Sequence, residues 1–353
     1  MIITSFEYKE IGWKLNPVYF KELNLIVGRN AVGKSRTMNA MAQVAKFVLG
    51  NPKSGTGYHF CKITFGTDED ERALVYSYSY DGTNVLSESM ETQSGEVIIM
   101  RDAESSKVRG ESVNPPQNKL IIQSQRDTEK YPEFEIVTNW AEHTRGVTLG
   151  NVSASISFRI SDMFEMTMDI DTIMESMDDE SKRIIIEGMR QLGYQIENIR
   201  VVPLTDKFKL VVLKEQGLQI PILTNNMSNG MLRAFYVLTY LRNVSSKEGA
   251  KTLMIDDLGE GLDFERSSKL SQYLFDFCKE HGIQLIVSSN DNFLMNVISL
   301  KYWIILKRTG EVVSSITEKT HPKLFRKFKF TGLSNFDLYK TDFIDKFLAQ
   351  EAE

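Results

Sequence analysis

Eight residues near the start of the chain, Gly28 to Ser35 in the run GRNAVGKS, restrict its fold more than any other feature. The pattern is glycine, four residues, glycine, lysine and a hydroxyl residue. Glycines at these two places allow backbone turns that side chains oppose, so successive N–H groups can point into one concavity. The run follows an apolar stretch, Leu23 to Val27, that reads as a strand. Met38, Met41, Ala42, Ala45 and Leu49 follow it at helical spacing. A strand that feeds a glycine-rich turn into a helix N-terminus is half of a βαβ unit, and the helix presents its positive pole to whatever the turn encloses.

That arrangement is the P-loop pattern, and its expected ligand is ATP with Mg²⁺. The backbone of Gly28, Arg29, Asn30, Ala31, Val32 and Gly33 is expected to enclose the phosphates, with Lys34, Ser35 and Arg36 completing the site. Lys34 should reach the β- and γ-phosphates, and the Ser35 hydroxyl should coordinate the metal.

A second carboxylate-bearing strand stands late in the chain. TLMIDD reads as a buried strand, Thr252 to Ile255, that delivers Asp256 at its C-terminal tip, where ligands of parallel sheets collect. Asp256 is expected to hold Mg²⁺, directly or through water, and Asp257 to orient the attacking water. A helix from about Glu265 to Lys279 and another buried-type strand, QLIVS at 284–288, follow. Strands alternating with helices predict a parallel sheet shared with the first βα unit.

The middle of the chain has a different rhythm. From Tyr58 to about Met100 short alternating stretches (KITF, ALVYSYSY, EVIIM) are broken by Gly, Asp, Asn and Ser, which predicts antiparallel hairpins. Residues 120–200 read as mixed and mainly helical, including an amphipathic acidic stretch from Asp169 to Glu180. A hairpin, KLVVL then LQIPIL, leads to a long helix whose N-cap is Ser228. The expected organisation is a discontinuous nucleotide-binding core (1–57 and 225–318), an antiparallel β subdomain (58–110), a mainly helical insert with a hairpin (111–224) and a basic, helical tail (319–353).

Composition narrows the class of function. With 42% apolar and 25% charged residues, the 353-residue chain is ordinary globular material and not a disordered one. No apolar run reaches a bilayer-spanning length, and the first residues, MIITSFEYKE, lack a signal pattern, so the chain reads as soluble and cytoplasmic, with no membrane partner. Cys61 and Cys278 are far apart and read as small core residues; His59, His143, His281 and His321 show no ligand spacing. A net charge of −5 does not point to nucleic acid. The segment KTHPKLFRKFK, Lys319 to Lys329, interleaves basic residues with Phe325 and Phe328, and reads as a solvated face or as a local nucleic-acid patch.

Together these motifs resemble ABC ATPases. The run Asp256-Asp257-Leu258-Gly259-Glu260-Gly261-Leu262-Asp263 resembles their Walker B and D-loop stretch, with Asp263 at the D-loop aspartate position. MSNGMLRA, from Met227 to Ala234, resembles the signature motif of stand-alone, non-transporter members, which implies that Ser228 and the Gly230 backbone bind a γ-phosphate. Among these, the chain is most similar to ATPase subunits of bacterial anti-phage systems of the Septu, PARIS and OLD-like groups. The resemblance covers residues 1–50 and 225–310. It implies an α/β P-loop fold and a head-to-tail homodimer or higher assembly closing around ATP. It also implies a separately encoded effector, a nuclease or toxin. DNA engagement in repair or recombination and a scaffold with negligible turnover are the alternatives.

Three positions depart from the family pattern. Asp257 stands where glutamate is usual, and Asn290 stands at the switch position usually held by histidine, where it can hydrogen-bond a γ-phosphate without charge. Both predict slow hydrolysis. The Q-loop glutamine is not identified; Gln123 and Gln125 are the candidates. Tyr8 is read as a core aromatic or as a ring stacking on adenine.

Overall fold

A computed structural model describes residues 1–51, 57–67, 72–148, 170–203, 209–246, 251–259 and 261–352. The chain opens with strands β1 (Ile2–Glu10), β2 (Trp13–Tyr19) and β3 (Leu23–Val27) and then helix α1 (Lys34–Val48). Six antiparallel strands follow: β4 (His59–Gly66), β5 (Leu74–Tyr80), β6 (Val85–Thr92), β7 (Val97–Arg101), β8 (Ser106–Val108) and β9 (Glu111–Ser112). Then come α2 (Ile121–Ser124), α3 (Pro132–His143), β10 (Thr144–Thr148), α4 (Ile170–Ser176) and α5 (Asp179–Gln191). A small sheet of β11 (Ile196–Pro203), β12 (Lys209–Glu215) and β13 (Ile222–Leu223) leads into α6 (Asn229–Ser245). The last part alternates β14 (Lys251–Asp256), α7 (Phe264–Glu280), β15 (Ile283–Ser288) and α8 (Asn292–Val297). The hairpin β16 (Trp303–Thr309) and β17 (Val312–Ile316) precedes α9 (Pro322–Lys329), α10 (Asn335–Lys340) and α11 (Phe343–Ala352).

One sheet organises the molecule, in the order β10-β14-β15-β3-β16-β17-β2-β1-β4-β5-β6-β7-β8-β9. Its first five strands are parallel. From β1 outward to β9 it is antiparallel. All five residues of β3 are buried because both faces of this part of the sheet are covered. Alternate side chains enter two different cores: Leu25, Val27, Ile255, Leu285 and Val287 pack with α6 and α7, whereas Ile26, Met254, Ile286 and Ile304 pack with α1 and α3.

Two features depart from the pattern expected of the sequence. The edge strand β10 lies within the segment read as mainly helical and pairs in parallel with β14 from Thr144↔Thr252 to Thr148↔Asp256. The hairpin at 209–223 is real but minor: β12 matches β13 at two positions and finds its longer partner in β11. The acidic stretch forms α4 and α5, broken at Met177–Asp178, where Asp178 caps α5 by accepting from the Ser181 N–H; Asp169 lies outside the described residues. No helix among the described residues is long and apolar enough to cross a membrane.

Candidate functional site

The turn after β3 is built by exclusion of side chains. A Cβ at Gly28 would lie 2.6 Å from Val32 Cγ1 and 3.2 Å from the Leu306 carbonyl oxygen, so only glycine fits. Ala31 (φ 63°) and Gly33 (φ 114°) take positive φ while Val32 between them does not, an alternation that can turn backbone N–H groups to one side. Arg29, Asn30 and Ala31 form the exposed crest, while Val32 is buried against the sheet. Ser35 and Arg36 are exposed in the first turn of α1.

Lys34 is only 7% exposed, and its Nζ donates to the Gly28 carbonyl at 2.8 Å. Burial lowers its pKa, opposed by the carboxylates of Asp257 and Asp256. Residues more than 200 positions apart in the chain therefore meet here. Asp256 is buried at the end of β14 and accepts a hydrogen bond from the Ser288 hydroxyl of β15. The same hydroxyl accepts from the Asp257 N–H at 3.0 Å. Asp257 is left-handed (φ 55°), which turns it out of the strand and into the cleft. Asn290 also lines the cleft and donates from Nδ2 to Asn30 Oδ1 at 2.9 Å, joining the loop after β15 to the crest.

The cleft holds about 960 Å³ and extends along α1 past Asn39, Ala40 and Gln43. At that end Arg36 is paired with Glu10 at 2.6 Å and lies 4.7 Å above the Trp13 ring. Glu10, Asn39, Gln43, Asp291 and Arg308 all line the cleft, and motif spacing marked none of them. Ser288 was visible only as the last residue of an apolar strand. Gln123 and Gln125 are not among the lining residues. Gln123 instead donates to the carbonyls of Phe47 and Val48 at 2.5 and 3.2 Å, closing the C-terminal end of α1. Tyr8 is 2% exposed, stacked with Phe6 and His59, and is a core aromatic.

Ser228, Gly230 and Asp263 lie elsewhere. Ser228 caps α6, its hydroxyl accepting from the Met231 N–H at 3.3 Å. A Cβ on Gly230 would stand 2.9 Å from the Gly261 carbonyl oxygen and 3.3 Å from the Tyr194 hydroxyl. Asp263 caps α7, accepting from the Arg266 N–H at 2.9 Å and pairing with the Arg266 guanidinium, which lies 4.7 Å over the Tyr194 ring. None of the three lines the cleft that holds Lys34. Glu260 lies outside the described residues.

In the segment from Lys319 to Lys329 the interleaved rings are interior: Phe325 and Phe328 are fully buried. Lys319 lies over the Tyr19 ring, and Lys329 pairs with Glu318 at 2.8 Å.

The strand, phosphate-type loop, buried lysine and strand-tip acids define an α/β P-loop NTPase with a mixed sheet and an antiparallel extension. Solved structures share the fold. An SMC head domain, described as bound to the C-winged helix domain of ScpA, aligns with a TM-score of 0.53 at 15% identity, covering 92% of this chain and all of that one. An SMC head domain with an extended coiled coil, bound to the C-terminal domain of ScpA and derived from Pyrococcus furiosus, gives 0.51 at 14% identity, covering 93% and 99%. A family profile matches residues 23–296, and the chain belongs to that family, described as "AAA domain, putative AbiEii toxin, Type IV TA system". No curated protein matches the sequence.

Proposed function

We propose that this chain is an ATP-dependent switch that binds MgATP in the cleft, closes with a second copy of itself, hydrolyses slowly and controls a separately encoded effector. The observation that carries the proposal is the setting of Lys34, a desolvated ammonium at a helix N-terminus, facing two strand-tip carboxylates across a loop that excludes side chains.

The residues present fit the ligand. The crest and Gly33 offer backbone N–H groups to phosphate, and Ser35 and Asp256 offer the hard oxygen donors that Mg²⁺ prefers. Bound Mg²⁺ would neutralise charge on the phosphates. Lys34 would exchange the Gly28 carbonyl for phosphate oxygens, and Asp257 would orient water from inside the cleft. Ser288 would act as a positioning residue, since its hydroxyl touches both acidic positions. Asp257 is one methylene shorter than glutamate, and Asn290 carries no charge, so both favour slow turnover.

Ser228, exposed, and Gly230, buried two residues on, stand at the start of a 17-residue helix but away from their own chain's cleft. Their role in phosphate binding is therefore assigned to the cleft of a second copy, related by two-fold symmetry. The family description, with its toxin and type IV toxin–antitoxin terms, supports an effector-linked role in defence. Sedimentation with MgATP and without nucleotide tests the core of the proposal: dimer that forms with MgATP and decays as phosphate is released is expected. A monomer under both conditions that still releases phosphate would overturn the switch.

A further inference from the structure

A second cavity, of about 410 Å³, lies on the outer side of the phosphate loop. Its walls are the loop residues 29–32, the end of β16, and α10 and α11. The floor is apolar: Val32, Ile305, Leu306 and Ile344 are each buried. The rim is charged. Lys307 and Asp345 pair with each other, which leaves Arg29 and Arg308 as the uncompensated charges. Arg308 donates to the carbonyls of Gly310 at 2.8 Å and Ala31 at 3.4 Å. The Arg29 guanidinium forms no hydrogen bond or ion pair among the described residues; its carbonyl accepts from the Val32 N–H at 3.2 Å. It faces the Tyr339 hydroxyl, whose pKa is raised by burial and lowered by this guanidinium.

An apolar floor beneath two guanidinium groups suits a small molecule with a flat apolar body and one anionic group, since guanidinium both pairs with anions and stacks on rings. We propose that this cavity binds such a small amphipathic anion and that its occupancy alters nucleotide affinity in the neighbouring cleft. Asn30, Ala31 and Arg308 line both cavities, so the loop is the partition between them. Ala31 holds a left-handed conformation beside the Arg308 contact, and a ligand drawing that guanidinium toward the rim changes what supports the loop. Lys34, Asp257 and Ser35 do not line the second cavity, so its occupant leaves the interior of the loop free. Binding stands on this cavity alone; the coupling rests on the nucleotide reading.

The test is a fluorescence titration of the full chain with 8-anilinonaphthalene-1-sulfonate, an aromatic anion, in the presence and absence of MgATP. Saturable binding of one molecule per chain is expected. Ile344→Trp, which fills the floor, and Tyr339→Glu, which places a carboxylate beside Arg29, should each weaken it tenfold or more while MgATP binding by calorimetry persists. Tyr339 is on the half-exposed rim, so Tyr339→Glu decides the matter if Ile344→Trp fails to fold. Saturating MgATP should shift the dye affinity by a fixed factor of at least two, and dye should shift MgATP affinity by the same factor. Unchanged dye affinity in the variants overturns the site. A shift that grows without limit as MgATP rises shows one shared site and also overturns it, as does loss of dye binding in step with self-association. No shift, with dye binding and MgATP binding both intact, overturns the coupling.

Discussion

The ammonium of Lys34 and the carboxylates of Asp256 and Asp257 are neighbours that should answer differently to truncation. Lys34 has lost most of its hydration and has one direct acceptor, the Gly28 carbonyl, so phosphate oxygens offer it more than it gives up. A charged hydrogen bond contributes about 1.5–3 kcal/mol. Lys34→Ala is therefore expected to weaken ATP binding by about ten- to a hundredfold, read by titration with a fluorescent nucleotide; affinity within a few-fold of wild type would remove the phosphate-loop assignment. The two acids differ in setting. Asp256 is buried and held by Ser288, whereas Asp257 turns into the cleft through its left-handed backbone. Asp256→Ala should raise the Mg²⁺ concentration needed for binding. Asp257→Ala should bind normally and hydrolyse on the order of a hundredfold more slowly, the scale of a lost general base. Metal-dependence curves and single-turnover phosphate release separate the two; identical behaviour would show that they share one role.

At the scale of elements, the antiparallel strands are tied to the phosphate-loop helix through a buried carboxylate. Glu88 of β6 accepts from the N–H groups of Ile121 and Ile122 at 2.5 and 3.3 Å and from the Tyr76 hydroxyl at 3.0 Å. Arg101, opposite it on β7, holds the carbonyls of Pro116, Gln117 and Lys119. Together they fix α2, and α2 sends Gln123 to the end of α1. Burial raises the Glu88 pKa from 4.5 to about 7, against the hydrogen bonds and Arg101, which lower it. The folded state thus holds a proton that the unfolded chain releases at lower pH. The stability from this protonated group is complete below the unfolded value and is lost as pH rises through about 7. Glu88→Gln keeps an acceptor without the charge. Denaturant melts should show its stability nearly flat from pH 5 to 8, while wild type falls by roughly 2–3 kcal/mol; parallel curves would contradict the assignment. None of this was legible in VLSESMET, where Glu88 reads as one more outward polar residue. Strand β10, TRGVT, was equally hidden: it has neither an apolar run nor alternation and owes its conformation to β14. GRNAVGKS and TLMIDD were legible because their chemistry is local: a spacing of glycines, and an apolar run ending in acid. Glu10, Gln43 and Arg308 reach the cleft from separate elements, which no local spacing encodes.

For the whole molecule, the proposal that a second copy completes the site rests on where the candidate residues of one chain stand. Lys34, Asp257 and Asn290 line the cleft, and Ser228 and Gly230 do not. A Cβ on Gly230 would stand 2.9 Å from the Gly261 carbonyl, so the start of α6 packs closely against residues 261–262 of its own chain. If the half-sites complete each other across a two-fold axis, Ser228→Arg should bind ATP nearly normally and hydrolyse almost none, because the new side chain falls on the other chain's γ-phosphate. The lost cap costs about 1 kcal/mol, which a thermal melt of the variant monitors. Lys34→Ala is inactive for the opposite reason. Mixing the two inactive proteins then restores one complete site in each heterodimer, with both lesions in its other site. Equal mixing with random pairing makes heterodimers about half of all dimers, each with one of two sites intact, so roughly a quarter of wild-type turnover is the ceiling for independent sites. Coupling between sites lowers that ceiling, so dimer is measured in the same samples by sedimentation. Turnover that returns without dimer, or a Ser228→Arg protein that hydrolyses at the wild-type rate, would show that each chain completes its own site and would end the head-to-tail assignment.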